Sequence, residues 1–262
     1  MSRVPSPNHV QVIRQGLLTI HTLDGTDVDA VVNAVESRGE ILKSSHKSLT
    51  RRVGDWVVKT SRFNSGIGPL KHTLRRQRYR QAWNAARHLQ AHGVPVATPR
   101  AFVETSALGL IFGNTLVTDY LEGYSSIEEY LPALKQDADD AGIENFLSRL
   151  AEALRGIERA DAVQEDFTGA DILTRNGEDV FFIDLDAVRL GVPYTDDLRA
   201  LNHAQLWFSM RHACTEEQIR HFLDVLKPSA PSLDEWMEIV RVKFDQRVAH
   251  ANAVVAARAA QK

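Results

Sequence analysis

Short apolar segments separated by glycine and polar turns fill the first part of the chain. Glu40–Ser45 and Ser48–Val53 flank a small polar turn, and Asp55–Lys59 follows directly after Gly54. Close spacing of this kind is typical of antiparallel strands joined by tight turns. Three further strands are predicted at Ala101–Glu104, Gly109–Phe112 and Thr115–Tyr120.

Helical periodicity appears once in this part and then dominates after Gly123. Leu74–His92 has no glycine or proline, so it predicts a helix that ends at Gly93. Ile143–Ile157 carries an apolar stripe at helical spacing, and the chain after Pro193 returns to helical patterns. The pattern predicts an α+β protein with a β-rich domain over residues 1–120 and a mainly helical domain over 121–262.

One β-hairpin interrupts the helical part. Ile172–Thr174 and Val180–Ile183 flank a turn that contains Asn176 and Gly177, a strong hairpin signal. Because a hairpin brings its two ends together, Asp166, Asp171 and Asp184 are expected to cluster. Clustered carboxylates repel each other unless a cation lies between them, and such oxygens suit Mg²⁺. The alternative is that these acids serve only as turn residues.

Composition narrows the class of protein. The chain has 262 residues, of which 44% are hydrophobic and 25% charged, as in globular proteins with a large core. A formal net charge of −3 argues against a nucleic-acid partner. Cys214, the single cysteine, cannot form an internal disulfide. With no apolar run of signal-peptide length in the first residues and no 18-residue apolar stretch, we expect a cytoplasmic location.

The order of these parts is typical of protein-kinase-like folds. Lys59 lies in a strand of the antiparallel domain, a helix follows, and Thr118–Gly123 stands where a hinge would join two lobes. Asp166–Asp171 has the spacing of a kinase catalytic loop. Asp184–Asp186 stands where the metal-binding aspartate of such folds would be.

These segments resemble the bacterial lipopolysaccharide kinase family, the Kdo and heptose kinases also called InaA-like proteins. The similar stretches cover about residues 40–200, the most telling being Leu154–Asp166 and Phe181–Arg189. The resemblance implies a two-lobed protein-kinase-like fold and ATP-dependent phosphotransfer, with Mg²⁺, to a sugar hydroxyl of the lipopolysaccharide inner core. It also implies a glycolipid or sugar acceptor and a place at the inner face of the inner membrane.

The resemblance assigns roles to individual residues. Lys59 would bind the ATP phosphates, Asp166 would orient or deprotonate the acceptor hydroxyl, and Asp184 with Asp171 would hold Mg²⁺. The remaining nucleotide contacts would come from a phosphate-covering turn and the hinge, at Ser44, Ser45, Lys47, Asp119 and Leu121.

Four departures from the family pattern keep two alternatives open. The histidine before the catalytic aspartate is Gln164, and the metal-binding asparagine is Asp171. Gln81 and Ala82 occupy the place of the helix glutamate that pairs with the lysine, and the Ser44–Ser48 turn has no glycine. The alternatives are a pseudokinase, which keeps the fold as a binding or regulatory module, and a small-molecule kinase of the aminoglycoside or choline kinase type. Gln164 is still expected to brace the loop through hydrogen bonds.

Two further features bear on the acceptor, and a third concerns the catalytic loop. Lys71–Arg80 contains basic residues and no acid, which fits contact with a phosphorylated glycolipid or an anionic membrane as well as a solvated helix face. Only Arg189–Thr195 separates the hairpin region from the next helix, which favours a glycan or small-molecule acceptor over a protein. Asp197 either binds the catalytic loop, as in the family, or is a first-turn acid favoured by the helix dipole.

Overall fold

The structure is a computed structural model that describes residues 10–62, 78–108 and 110–259. It divides into two compact units, Met1–Glu122 and Gly123–Lys262. The first unit is built on an antiparallel sheet, and the second is mainly helical. The sequence-based expectation of an α+β chain with a β-rich first part and a helical second part is confirmed.

The first unit contains one seven-stranded antiparallel sheet with strand order β1-β2-β6-β7-β5-β4-β3. Its elements in chain order are β1 (Val10–Gln15), β2 (Leu18–Leu23), α1 (Val28–Glu36), β3 (Glu40–Ser44), β4 (Ser48–Val53), β5 (Trp56–Ser61), α2 (Arg78–Ala91), β6 (Pro99–Ala107) and β7 (Leu110–Asp119).

Each helix of this unit covers one face of the sheet. Val31 and Ala34 of α1 pack on one face, against residues of β2, β5, β6 and β7. Tyr79, Ala82 and Trp83 of α2 belong to a second cluster that includes Phe102 of β6 and Leu116 of β7. Because alternate residues of a strand point to opposite faces, the sheet separates the two apolar clusters.

The elements predicted for the first unit differ from the observed ones in several places. The strands predicted at 109–112 and 115–120 are one strand, β7, paired with β6 through two register shifts. The elements before residue 40, namely β1, β2 and α1, were not predicted, although Asp27 caps α1 by accepting hydrogen bonds from the N–H groups of Asp29 and Ala30. Lys59 therefore lies on the fifth strand along the chain and on the third strand of the β3-β4-β5 meander. The predicted helix over 74–92 is described from Arg78 onward, and its first residues lie outside the described part.

The second unit combines helices with short strands. Its elements are β8 (Ser125–Ser126), α3 (Ile127–Gln136), α4 (Asp140–Arg159), β9 (Ala162–Gln164), β10 (Ile172–Thr174), β11 (Phe181–Phe182), β12 (Val188–Leu190), α5 (Asp196–Met210), α6 (Glu216–Leu226) and α7 (Leu233–Ala259).

The apolar stripe predicted over Ile143–Ile157 and the predicted β-hairpin are both present in this unit. Phe146, Leu147 and Leu150 of α4 are buried, as the helical spacing required. Strand β10 pairs with β11, with Ile172 opposite Phe182, and pairs on its other side with β8. Strand β9 pairs with β12, a contact that the sequence did not reveal. Among the helices in the described ranges, none is long and apolar enough to cross a membrane.

His203 of α5 lies in the core of the second unit, where it is 3% exposed. The indole Nε1–H of Trp236 donates to its Nδ1 at 3.0 Å, so the imidazole is neutral and carries its proton on Nε2. Burial, and to a smaller extent the charge of Arg199, lowers the pKa of His203 to about 3.

This burial predicts a pH-dependent stability. In the unfolded chain the imidazole takes up a proton below its ordinary pKa of 6.5, whereas the folded protein does not. The contribution of His203 to the free energy of unfolding is therefore complete above pH 6.5. It is lost as the pH falls toward 3, by at most about 1.4 kcal/mol per pH unit. His203→Gln keeps an acceptor for Trp236 but does not titrate. Urea unfolding between pH 7 and pH 5 should give a flatter profile for this variant, and parallel profiles would contradict the prediction.

Candidate active site

Lys59 is held on strand β5 at the centre of the first unit's sheet. Its register partners are Thr50 on β4 and Leu116 on β7, and Leu116 in turn lies opposite Phe102 on β6. Directly opposed residues share a face, so Lys59 lies on the face that α2 covers. Its ammonium Nζ lies 5.8 Å from the centre of the Tyr79 ring of α2.

A buried acidic residue on the sheet face that α2 covers comes from strand β6 and not from α2. Ala82 of α2 is 2% exposed and packs in the apolar cluster. Glu104 of β6 is 3% exposed, forms an ion pair with Arg80 of α2, and lies 3.7 Å from the imidazole Nε2 of His21. Sequence reasoning missed Glu104. The available signal was a carboxylate in an otherwise apolar strand, and such a carboxylate requires a cationic partner when buried.

The Ser44–Ser48 turn is closed by its own side chains. The hydroxyl of Ser45 accepts hydrogen bonds from the backbone N–H groups of Lys47 and Ser48, at 3.2 and 3.0 Å. Arg62, which sequence reasoning also missed, donates to the Ser44 hydroxyl and to the Ser45 carbonyl, both at 3.1 Å. Two of the N–H groups that could bind phosphate are thus already used, and Arg62 supplies a cation beside the turn.

The side chain of Asp119, at the end of β7, is already bound. Both its carboxylate oxygens accept from the guanidinium of Arg100 at 2.6 Å, and its backbone N–H donates to Thr98. The hydrogen bond that Arg100 donates to Asp119 is the largest cause that raises the pKa of Arg100. A nucleotide contact at this residue would therefore have to use its backbone. Leu121 is half-buried two residues further along.

Asp166 follows strand β9 in the second unit. The β9–β12 pairing places Val188 opposite Gln164, and the Glu165 N–H donates to the Ala187 carbonyl at 3.1 Å. These bonds fix the backbone up to the residue before Asp166. Asp166 itself is exposed.

Helix α5 holds the loop that follows Asp166. The Gln205 side-chain oxygen accepts from the backbone N–H of Phe167 at 2.9 Å and from the amide of Asn202 at 3.2 Å. With its oxygen fixed in this way, the Gln205 amide nitrogen faces the Asp166 carboxylate at 3.4 Å, a long hydrogen bond. One turn further, the hydroxyl of Ser209 accepts from the Gly169 N–H at 2.9 Å.

Two further residues were considered as supports of this loop. Of the two interpretations of Asp197, the structure agrees with the first-turn acid of α5, since Asp197 is 84% exposed and pairs with Lys243 at 2.7 Å. Gln164 is buried, and its side-chain oxygen has no hydrogen-bond partner among the described residues. The bracing falls to Gln205 and Ser209, which the sequence did not single out because polar residues in a helix usually face solvent.

The hairpin joins Asp171 to the segment of Asp184. The Ile183 N–H donates to the Asp171 carbonyl at 2.9 Å, and the hydroxyl of Thr168 donates to the Asp171 carboxylate at 2.5 Å. Asp184 has a left-handed backbone, with φ of +57°. Aspartate tolerates this conformation better than most residues, which lets the chain turn away from β11 directly after the strand.

The expected three-carboxylate cluster is not present as a metal site. Within the described ranges, no group of three or more His, Cys, Asp or Glu side chains is placed to bind one metal ion. What the hairpin does bring together is the Asp171 carbonyl and the residue before Asp184. A Mg²⁺ ion often takes only one or two protein carboxylates and completes its shell with water and phosphate oxygens.

The basic segment is only partly described. Lys71, Arg75 and Arg76 lie outside the described residues, and Arg78 is exposed. Arg80 pairs with Glu104, and its guanidinium carbon lies 5.6 Å from the centre of the Phe102 ring, while 40% of its side chain remains exposed.

The architecture belongs to the class of protein-kinase-like folds. Among solved structures, "WaaP in complex with acyl carrier protein" matches 85% of this chain and 93% of that chain, at 19% identity and a TM-score of 0.61. A Toxoplasma gondii rhoptry antigen kinase domain matches at 10% identity, covering 91% and 88%, with a TM-score of 0.49. WbdD bound to a kinase inhibitor matches at 12% identity, covering 76% and 44%, with a TM-score of 0.48.

The family model of the lipopolysaccharide kinase (Kdo/WaaP) family matches residues 30–225, and the chain belongs to that family. Membership supports kinase activity and confirms the resemblance seen in the sequence. A comparison with curated proteins found no match.

The Gln205 contacts predict a selective effect on turnover. In Gln205→Glu the side chain can still accept from Phe167 and Asn202, but it can no longer donate to Asp166 and it places a second negative charge beside that carboxylate. We expect turnover to fall about tenfold, because the loop loses a donor to Asp166 and gains a like charge beside it. Affinity for Mg²⁺–ATP should stay unchanged. Equal losses of nucleotide affinity and turnover would show that Gln205 only stabilises the fold.

Proposed function

We propose that the protein is an ATP-dependent kinase that phosphorylates a sugar hydroxyl of the lipopolysaccharide inner core. The observation that carries this proposal is the pairing of an exposed Asp166, on a loop fixed by α5, with a hairpin that ends in Asp171 and Asp184. Family membership supplies the reaction class. The reaction would take place at the inner face of the inner membrane, where cytoplasmic ATP meets a lipid-linked acceptor.

Asp166 is proposed to act on the acceptor. As the acceptor oxygen forms its bond to the γ-phosphorus, the bond between that phosphorus and the bridging oxygen of ADP breaks. The proton of the hydroxyl group passes to Asp166, which the Gln205 amide orients. Lys59 is proposed to contact the ATP phosphates, with further nucleotide contacts from Ser44, Ser45, Lys47, Asp119 and Leu121.

The residues at the hairpin fit a divalent cation. Asp171 and Asp184 offer the hard oxygen ligands that Mg²⁺ prefers, and the Thr168 hydroxyl fixes the orientation of one of them. When bound, Mg²⁺ neutralises phosphate charge during phosphoryl transfer.

The short connection after β12 supports a glycan or small-molecule acceptor. Only residues 191–195 separate Leu190, the end of β12, from the start of α5 at Asp196. Protein kinases use a longer activation segment between the corresponding elements to order the site. A chain without that segment presents its catalytic loop directly.

A pseudokinase is the alternative that specific observations favour. Ala82 stands on α2 where the family pattern has a glutamate, and its methyl group is buried in the apolar cluster. The Ser45 hydroxyl also occupies N–H groups of the turn proposed to cover the phosphates. A pseudokinase would bind Mg²⁺–ATP without measurable turnover of core oligosaccharides.

Asp184→Asn tests the metal assignment. Loss of one charged ligand should weaken Mg²⁺-dependent ATP binding by about tenfold or more in calorimetric titration. Asp179→Asn is the matched control, since Asp179 lies in the turn of the same hairpin and accepts a hydrogen bond from Tyr124 at 3.0 Å. Unchanged affinity in Asp184→Asn would mean that the acids at the hairpin serve only as turn residues.

Asp166→Ala tests catalysis separately from binding. Turnover of core-oligosaccharide acceptors should fall by about 100-fold or more, because the group that orients and deprotonates the hydroxyl is removed. Binding of Mg²⁺–ATP should persist. The control is Glu165→Gln, which alters an adjacent carboxylate that pairs with Arg189 on the surface. Identical background hydrolysis by the wild type and by Asp166→Ala, with every acceptor tried, would favour the pseudokinase.

A further inference from the structure

Two guanidinium groups share one aromatic ring at the end of α5. The Arg211 guanidinium carbon lies 3.7 Å from the centre of the Phe208 ring, and that of Arg247, from α7, lies 5.3 Å from the same centre. All three side chains are half-buried. An arginine stacked over an aromatic ring has its N–H groups in the plane of the guanidinium, so they point away from its centre and remain able to bind oxygen.

These two arginines differ from the other cations where α5 meets α7. Arg241 lies over the Trp207 ring but also forms an ion pair with Glu216, and Lys243 pairs with Asp197. No carboxylate of the described residues lies within 4.0 Å of Arg211 or Arg247. Two like charges therefore lie against one ring without a directly bound acid.

Holding two half-buried guanidinium charges against one ring costs free energy unless an anion offsets them. Partial burial lowers the pKa of the Arg211 guanidinium, Glu128 partly raises it, and the like charge of Arg247 lowers it again. One Arg211 N–H donates to the Phe208 carbonyl, at the C-terminal end of α5. The Nε–H of Arg247 is enclosed and has no hydrogen-bond partner among the described residues. An oxyanion bound by both arginines would offset both charges and accept from donors that are not used, among them the Nε–H of Arg247.

The arginine pair adjoins the catalytic loop. Ser209, next to Phe208 in the chain, accepts the hydrogen bond from Gly169, three residues after Asp166. A Cβ atom added at Gly169 would lie 2.9 Å from the Cβ of Ser209 and 2.7 Å from the Cγ of Glu128, so the loop, α3 and the end of α5 are in close contact. A group bound at the arginines would belong to a molecule that also reaches this loop.

We propose that Arg211 and Arg247 bind an anionic oxygen group of the acceptor, a phosphate monoester or a carboxylate. This inference rests on the proposed function and specifies the acceptor as an anionic glycan. Arg247 comes from α7, which gives this long helix a role in acceptor recognition.

The direct test uses small anions with the full-length protein. The Nε–Hε signals of the arginines are followed by NMR while methyl phosphate or acetate is added at constant ionic strength. We expect the signals of Arg211 and Arg247 to shift together and to saturate with one of the two anions, which identifies the group. Saturation should be lost in Arg247→Gln and in Arg211→Gln, whereas Arg241→Gln, which alters a stacked arginine that already has an acidic partner, should behave as the wild type.

Signals that do not move, or that all move linearly with either anion, would overturn the proposal. Kinetics provide the second measurement: in Arg247→Gln the KM for an anionic core oligosaccharide should rise about tenfold, with the KM for ATP unchanged. Saturable anion binding by a protein that phosphorylates no acceptor would leave the arginine site standing and reject the proposed function. Turnover that is indifferent to both substitutions would reject the arginine site alone.

Discussion

The arrangement of the Asp166 loop depends on one side-chain amide. Gln205 is almost fully buried, its oxygen accepts two N–H groups, and its nitrogen faces the Asp166 carboxylate. An amide whose oxygen is fixed by two donors cannot flip without leaving both of them unsatisfied in the core. The orientation of Asp166 is therefore set by helix packing, and a rigid helix is a better support for a reacting group than a loop.

This constraint also explains why α5 is rich in buried polar residues. Asn202 binds Gln205 and accepts from the hydroxyl of Tyr194 at 3.0 Å, and His203 accepts from Trp236. Each of these groups has a partner, as buried polar groups require. The network connects the loop, α5 and α7 in the second unit, so a substitution in it is expected to affect stability and activity together. Only changes that keep the packing, such as Gln205→Glu, can separate the two effects.

The sequence predicted the elements whose signal is local. The hairpin followed from Asn176 and Gly177, the stripe of α4 from its spacing, and the β3-β4-β5 meander from turns only a few residues long. It did not reveal β1, β2 and α1, nor the β9–β12 pairing, because short strands that pair with distant segments carry little local signal. The sequence left Asp197 with two interpretations for a related reason. Its position at the start of α5 was correct, but its partner, Lys243, lies 46 residues further along the chain.

The departures from the family pattern have different physical consequences in the two units. Around Asp166 the role expected of Gln164 has moved to Gln205 and Ser209, so the loop remains fixed although the histidine of the family pattern is absent. On the first unit's sheet, Ala82 takes the helix position of the family's glutamate and packs into the apolar cluster, while Arg80 of the same helix pairs with Glu104 of β6. A loop that needs only a fixed geometry can be supported by any well-packed donor or acceptor, so the support can come from a different helix residue without changing the loop. We therefore expect substitutions that keep α5 packed to leave the Asp166 loop in its arrangement.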